Sequence, residues 1–294
     1  MSIQMVANFT SQNMPAGDFA AEVEALGYSG VSCSDHFFRG ASSYPHLWVS
    51  LASMACATET IGLSSAFANN LFRTPVEFVQ ASLSMHQLSG GRFEAGIGAG
   101  WLAGEVSGSG LSYPPPPARA RRYREAVLIA RELFHAGRCQ FAGEFYDIDV
   151  SAIGPVAPTP PPLAGALGGP WTIRNVAPLL DRVELLFGQS TRAGDLDMGV
   201  LAACTEDELR AKVDAVRQVA PNVPIGVLLF VAVGDDEQVA ALREQLGDGY
   251  YSRFVGSAAQ VSDAVQSLAV LGIDRAQLNE RVKGSLQQLI PPGR

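Results

Sequence analysis

The sequence predicts an α/β fold: a (β/α)8 barrel with a hairpin inserted between the fourth helix and the fifth strand. Three observations predict it. Short apolar segments alternate with amphipathic ones along the 294 residues. Several of the apolar segments carry no polar alternation, as expected of strands buried on both faces in a parallel sheet covered by helices. The length suits one barrel as a single domain over 1–294, with 47% hydrophobic residues to fill it.

The elements follow in order. IQMVANF, 3–9, is apolar and short, so it is the first strand. GDFAAEVEALG, 17–27, repeats apolar residues at helical spacing and stops at Gly27. YSGVSCSDHFF holds the second strand, ending at Asp35; a helix covers 45–57 and a third strand IGLSSAFA, 61–68. TPVE, 74–77, opens a helix: Thr74 caps, Pro75 fits the first turn, and Glu77 completes a capping box. RFEAGIG is the fourth strand, and residues 118–135 form a long helix with Ala126, Val127, Ala130, Leu133 and Phe134 on its apolar face.

The second half repeats the scheme. PPLAGAL, 161–167, is the fifth strand, a helix opens near Pro170, and RVELLFG, 182–188, is the sixth. TEDE, 205–208, is another capping box, and VPIGVLLFVAVG, 223–234, the seventh strand. Helices at 235–246 and 257–271 precede an eighth strand at 273–279 and a short final helix. Two stretches fall outside the repeat: a hairpin at 138–160 and a long loop at 189–204. Long loops at a barrel's C-terminal face tend to carry function.

Composition narrows the partners. A net charge of -8 and a pI near 5.0 argue against nucleic acid. Arg119, Arg121, Arg122 and Arg124 form the polar face of a helix. The start has no signal-peptide pattern, and no run reaches the ~18 apolar residues of a membrane span, so a cytoplasmic location and no membrane partner are expected. The four cysteines are scattered without metal-ligand spacing, so no metal is expected.

Chemistry in such a barrel sits where strands meet the following loops. The stretch GIGAGW, 96–101, lies there. It lacks the last glycine of a dinucleotide fingerprint and the GK[ST] of a phosphate loop. Its alternate glycines either clear a flat space where a planar ring can lie, or allow tight packing at a barrel corner. Asp35 and His36 fall at the end of the second strand, where His36 is a candidate acid or base or a hydrogen-bonded strand end. Glu105 is a second catalytic candidate, or a loop carboxylate. His46, His86 and His135 lie in helical segments and look structural.

SDH at 34–36, NNLFRTPVEFVQASLSMHQLSGGRFEAGIGAGWLAGE at 69–105, FAGEFYDI at 141–148 and PLAGALGGP at 162–170 together resemble the bacterial luciferase-like superfamily. Within it the chain is similar to the deazaflavin (coenzyme F420)-dependent oxidoreductases of actinobacterial type. The resemblance implies a TIM barrel with the cofactor at the strand C-termini. It places Asp35 and His36 beside the ring, and a non-prolyl cis peptide at Ser65-Ala66 behind it. It also places Ala99 and Gly100 at the ring's border, Gly168 and Gly169 along the tail, and Leu186 to Gly188 on the other side. The helix opening at Pro170 would offer its N-terminus to a phosphate.

Sugar-phosphate-oxidising members of that group carry a catalytic glutamate where this chain has Trp101. That departure argues against sugar-phosphate chemistry and for an apolar or planar substrate. The implied activity is hydride transfer between coenzyme F420 and a small organic molecule, with His36 moving the proton. A monooxygenase using flavin mononucleotide (FMN) and a non-catalytic flavin-binding paralogue are the alternatives. A homodimer is expected.

Overall fold

A computed structural model describes residues 2–10, 14–187, 191 and 194–289. Eight parallel strands close into a barrel: β1 (Gln4–Phe9), β2 (Gly30–Cys33), β3 (Gly62–Ser65), β4 (Phe93–Gly98), β5 (Leu163–Leu167), β6 (Arg182–Leu186), β7 (Ile225–Val233) and β8 (Arg275–Glu280). Two pairings shut the ring. Gln4 lies beside Arg275 where β1 meets β8, and Leu163 beside Ala95 where β5 meets β4. This is the TIM-barrel architecture the alternation predicts.

The helices in chain order are α1 (Ala16–Ala25), α2 (Leu47–Ala57), α3 (Pro75–Leu88), α4 (Ala103–Gly108), α5 (Pro116–Ala136) and α6 (Pro170–Val176). They continue with α7 (Met198–Ala202), α8 (Glu206–Val219), α9 (Glu237–Leu246), α10 (Ala258–Ser267) and α11 (Ser285–Gln288). Their apolar faces cover the strands. Ala126, Val127, Ala130 and Leu133 of α5 are all buried, so the core lies between barrel and helices as well as inside the barrel.

Local signals account for several boundaries. Thr205 accepts from the Glu208 N–H while Glu208 returns to the Thr205 N–H, and Ser257 with Gln260 does the same at α10. The α3 start is different. Thr74 accepts from the Glu77 N–H, but the Glu77 carboxylate turns to Arg73 Nε at 3.0 Å, so the expected box is only half formed. The ion pair with Arg73 competes for the same carboxylate and wins. His46 precedes α2 as its cap residue rather than lying within it.

Three other expectations change. Residues 198–202 of the expected long loop are helical, capped by Asp197. Glu105 stands on α4, a helix with no apolar repeat long enough to announce it. The predicted strands also begin or end a few residues too wide. Flanking residues such as Ile3 and Phe187 are apolar and buried like the strands themselves, so the apolar pattern runs past the paired residues.

The expected hairpin is present: Cys139–Ala142 runs antiparallel to Asp147–Val150. Glu125 of α5 accepts N–H bonds from Glu144, Phe145 and Tyr146 at its tip. Tyr146 then donates to Asn70 Oδ1 at 3.0 Å, which fastens the hairpin to the loop beyond β3.

At the opposite end of the barrel, charged groups lie inside. Arg275 of β8 pairs with Glu184 of β6 and with Glu94 of β4, and Glu184 is fully buried. Arg182 joins Glu94 to Asp274. Among the described residues no helix is long and apolar enough to cross a membrane.

Candidate active site

At the C-terminal ends of the strands a cavity of about 740 Å³ opens. Its wall takes His36 from the segment after β2, Phe67 from beyond β3, Trp101 from beyond β4, Gly168 from beyond β5, Leu186 from β6 and Arg281 from beyond β8.

His36 is held from behind. Its Nδ1 lies 2.9 Å from Oε2 of Glu105. The other oxygen of Glu105 accepts from the backbone N–H groups of Phe37 and Phe38. The Glu105 side chain is fully buried, whereas His36 lines the cavity. The carboxylate therefore fixes the ring's orientation and places the proton of the neutral imidazole on Nδ1. Nε2 is left as the ring nitrogen that Glu105 does not engage. Tyr44 and Trp101 flank the imidazole, with ring centroids 5.2 and 5.5 Å away, and Trp101 meets it edge-on. The Trp101 carbonyl in turn accepts from Tyr113 Oη at 2.8 Å.

Asp35 lines the cavity as well, but its carboxylate is already engaged. Arg73 donates to both of its oxygens, and one also accepts from the Asn69 N–H at 2.7 Å. The Arg73 guanidinium lies 5.7 Å from the Trp48 ring centroid. Asp35 thus ties the end of β2 to the loop beyond β3, with its charge already partnered. Nothing at the level of sequence singles out Arg73. An arginine just before a helix cap ordinarily faces water, and only the barrel turns this one inward.

Beyond β3 the chain bulges. The non-prolyl cis peptide is Ala66-Phe67, one residue later than expected. Ala66 and Phe67 line the cavity. The Ser65 hydroxyl is directed away from it, bonding both the carbonyl and the N–H of Gly96.

The bulge decides between the two readings of the glycines, in favour of tight packing. A Cβ on Gly96 would stand 2.0 Å from the Ser65 carbonyl oxygen, and one on Gly98 3.2 Å from Phe67 Cβ. Gly100 has φ +79, and a Cβ there would meet Asn69 Oδ1 at 2.5 Å. The alternate glycines admit the chain's own bulge, and the bulge in turn floors the cavity. Ala99 and Gly100 do border the cavity, and Gly168, Gly169 and Leu186 line it further round. A Cβ on Gly169 would meet nothing within 4 Å, so this stretch is open. Gly188 lies outside the described residues.

The arginines of α5 divide. Arg119 is buried, donates to the Pro114 carbonyl at 2.8 Å and lies 4.2 Å over the Tyr113 ring. Arg121 pairs with Glu144 of the hairpin at the rim. Arg39 and Arg281, which composition did not mark, also face the cavity.

The sequence model of luciferase-like monooxygenases matches residues 12–289. The chain belongs to the luciferase-like monooxygenase family. Among sequence relatives of this luciferase-like chain is the F420-dependent glucose-6-phosphate dehydrogenase of Amycolatopsis mediterranei (strain U-32). The two are 30% identical over 157 residues, 52% of this chain and 47% of the relative. The enzyme of the same name from Nocardia farcinica (strain IFM 10152) is 33% identical over 162 residues, 53% and 48% of the two chains. The chain spans about half the length of the curated relatives it matches.

Solved structures of the luciferase-like fold superpose over nearly the whole chain. An F420-dependent secondary alcohol dehydrogenase in complex with an F420-acetone adduct gives a TM-score of 0.78 at 17% identity, covering 98% of this chain and 97% of that one. The monooxygenase RslO1 from Streptomyces bottropensis gives 0.77 at 16%, with the same coverage. At these identities the likeness establishes the fold.

Proposed function

We propose that the chain is an oxidoreductase that moves hydride between coenzyme F420 and a small organic substrate. The observation that carries this reading is His36, oriented by buried Glu105 and set on the wall of a large cavity at the catalytic end of the barrel. The sequence relatives named for the same coenzyme support it.

The cavity fits a deazaflavin. Ala66, Phe67 and Ala99 offer a largely apolar floor on which a ring can lie, with peptide groups at its edges. Gly168 and Gly169 would pass the cofactor's tail without obstruction. When bound, the deazaflavin supplies the hydride chemistry. The chain's residues do the rest. His36 Nε2 accepts or donates the proton that accompanies hydride movement at the substrate. Glu105 is a positioning residue that holds the ring and its tautomer. Asp35, through Arg73 and Asn69, keeps the bulge in place behind the ring. Trp101 and Tyr44 exclude water from the imidazole and narrow the substrate's space to something planar.

A fluorescence titration with coenzyme F420 and, separately, with FMN tests this reading. Tight, saturable binding of F420 and weak binding of FMN is the expected result. The opposite preference would move the chain to oxygen-activating chemistry. Tight F420 binding with no oxidation of the reduced coenzyme by a broad panel of aldehydes, ketones and enones would leave a non-catalytic binder. The expected homodimer belongs to the same reading, and light scattering on the eluting protein measures it.

A further inference from the structure

Two guanidinium groups face the same end of the cavity. Arg39 comes from the loop after β2 and lies 5.9 Å from the Trp101 ring centroid. Arg281 follows β8 and lies 5.9 Å from that of Phe230. Strands β8, β1 and β2 are neighbours in the barrel, so the two segments share one side of the mouth. Gly168 and the open Gly169 follow β5, across the barrel.

Two like charges beside one cavity repel unless an anion lies between them. Only part of that need is met by the chain. Arg39 Nη2 is paired with Asp195 Oδ1 at 2.9 Å, at the surface, its one ion pair among the described residues, and the guanidinium carries further donors. Arg281 makes no ion pair among the described residues. The neighbouring carboxylate, Glu280, turns back to accept the N–H groups of Gly284 and Leu286. Burial first, and the charge of Arg39 next, lower the Arg281 guanidinium from its ordinary value, so the two charges feel one another.

We infer that the substrate carries an anionic group, a carboxylate or a phosphate, held by Arg281 and Arg39, with a planar body against Trp101 and Tyr44. A planar fork of donors suits either anion. The inference rests on the proposed function for taking this cavity as the substrate site. It assigns Arg281 as a specificity-determining residue.

The test is calorimetric titration of the coenzyme-loaded protein with matched probes: 2-naphthoate, 2-naphthyl phosphate and the neutral 2-naphthamide. At least one anion is expected to bind tenfold or more tightly than the amide. Added salt should weaken that preference. Arg281→Gln should erase it while leaving coenzyme affinity unchanged. The preferred anion distinguishes carboxylate from phosphate. Three results would overturn the inference: equal affinity for anions and amide, a preference that survives Arg281→Gln, or an anion that competes with the coenzyme. Coenzyme titration is read separately, and the same probes are titrated into the protein without added coenzyme. An anion preference lost in Arg281→Gln, in a protein that binds no F420, would keep the inference and sink the proposed cofactor.

Discussion

Glu105 and His36 lie 69 residues apart in sequence and meet at 2.9 Å, the carboxylate sealed behind the ring. One oxygen serves the imidazole and the other the backbone that carries it. The same side chain thus fixes both where His36 stands and how it is turned.

His36→Ala is accordingly expected to lower turnover by about 10²–10⁴-fold, the usual worth of a positioned acid or base, with coenzyme affinity kept. Glu105→Gln still accepts the Nδ1 proton and should lose less than Glu105→Ala. Both should lower kcat more than they raise KM. Steady-state kinetics on a substrate found with reduced coenzyme reads this. Unchanged turnover in His36→Ala would remove the residue from the mechanism.

Asp35 and Arg73 form a nearly buried pair, with side chains 5% and 10% exposed. Removing one partner strands the other charge, at a cost of about 3–5 kcal/mol. Arg73→Met should show that loss in urea denaturation and should weaken coenzyme binding as the bulge loosens. A stability within about 1 kcal/mol of wild type would show that the pair does not anchor the bulge.

The glycines give a paired prediction. Gly96→Ala sets a methyl against the Ser65 carbonyl and should cost at least about 3 kcal/mol, the upper end of overpacking. Gly169→Ala meets open space and should cost under about 1 kcal/mol. The second variant should still bind F420 less tightly if the tail passes there. Thermal melts and the fluorescence titration separate the two effects.

Acid stability turns on Glu24 at the end of α1. Burial raises its carboxyl, but N–H bonds from Thr60, Ile61 and Glu59 and the Thr60 hydroxyl outweigh that and hold it at about 2. The folded value lies below the ordinary 4.5, so the clamp's contribution is full above about 4.5 and is lost as pH falls toward 2. Glu24→Gln should therefore destabilise by roughly 1–3 kcal/mol at neutral pH, and the gap from wild type should narrow near pH 3. A gap independent of pH would refute the assignment.

Much of this fold was legible in the sequence because strands and helices carry local signals. Thr205 and Glu208 announce a helix start from four residues, and VPIGVLLFVAV announces a buried strand. What escaped depends on distant partners. Glu105 reads as a catalytic acid or a loop carboxylate until α4 folds it behind His36 as the ring's support. Arg73 looks solvated until Asp35 faces it. The glycines left two readings open: GIGAG says that something approaches closely, and only the fold says that it is the backbone at Ser65 and the ring of Phe67. Arg39 and Arg281 lie 242 residues apart (281 − 39), and no spacing rule links them.

Arg275 carries a consequence for the order in which this protein is made. It sits in the eighth strand, and its guanidinium is the group that meets Glu184 inside the barrel. A growing chain has all seven earlier strands before it has that arginine. Closing early would bury the Glu184 carboxylate without the guanidinium that bonds it, at a penalty of several kcal/mol. A seven-stranded closure is thereby disfavoured, because only the eighth strand brings the residue that neutralises Glu184.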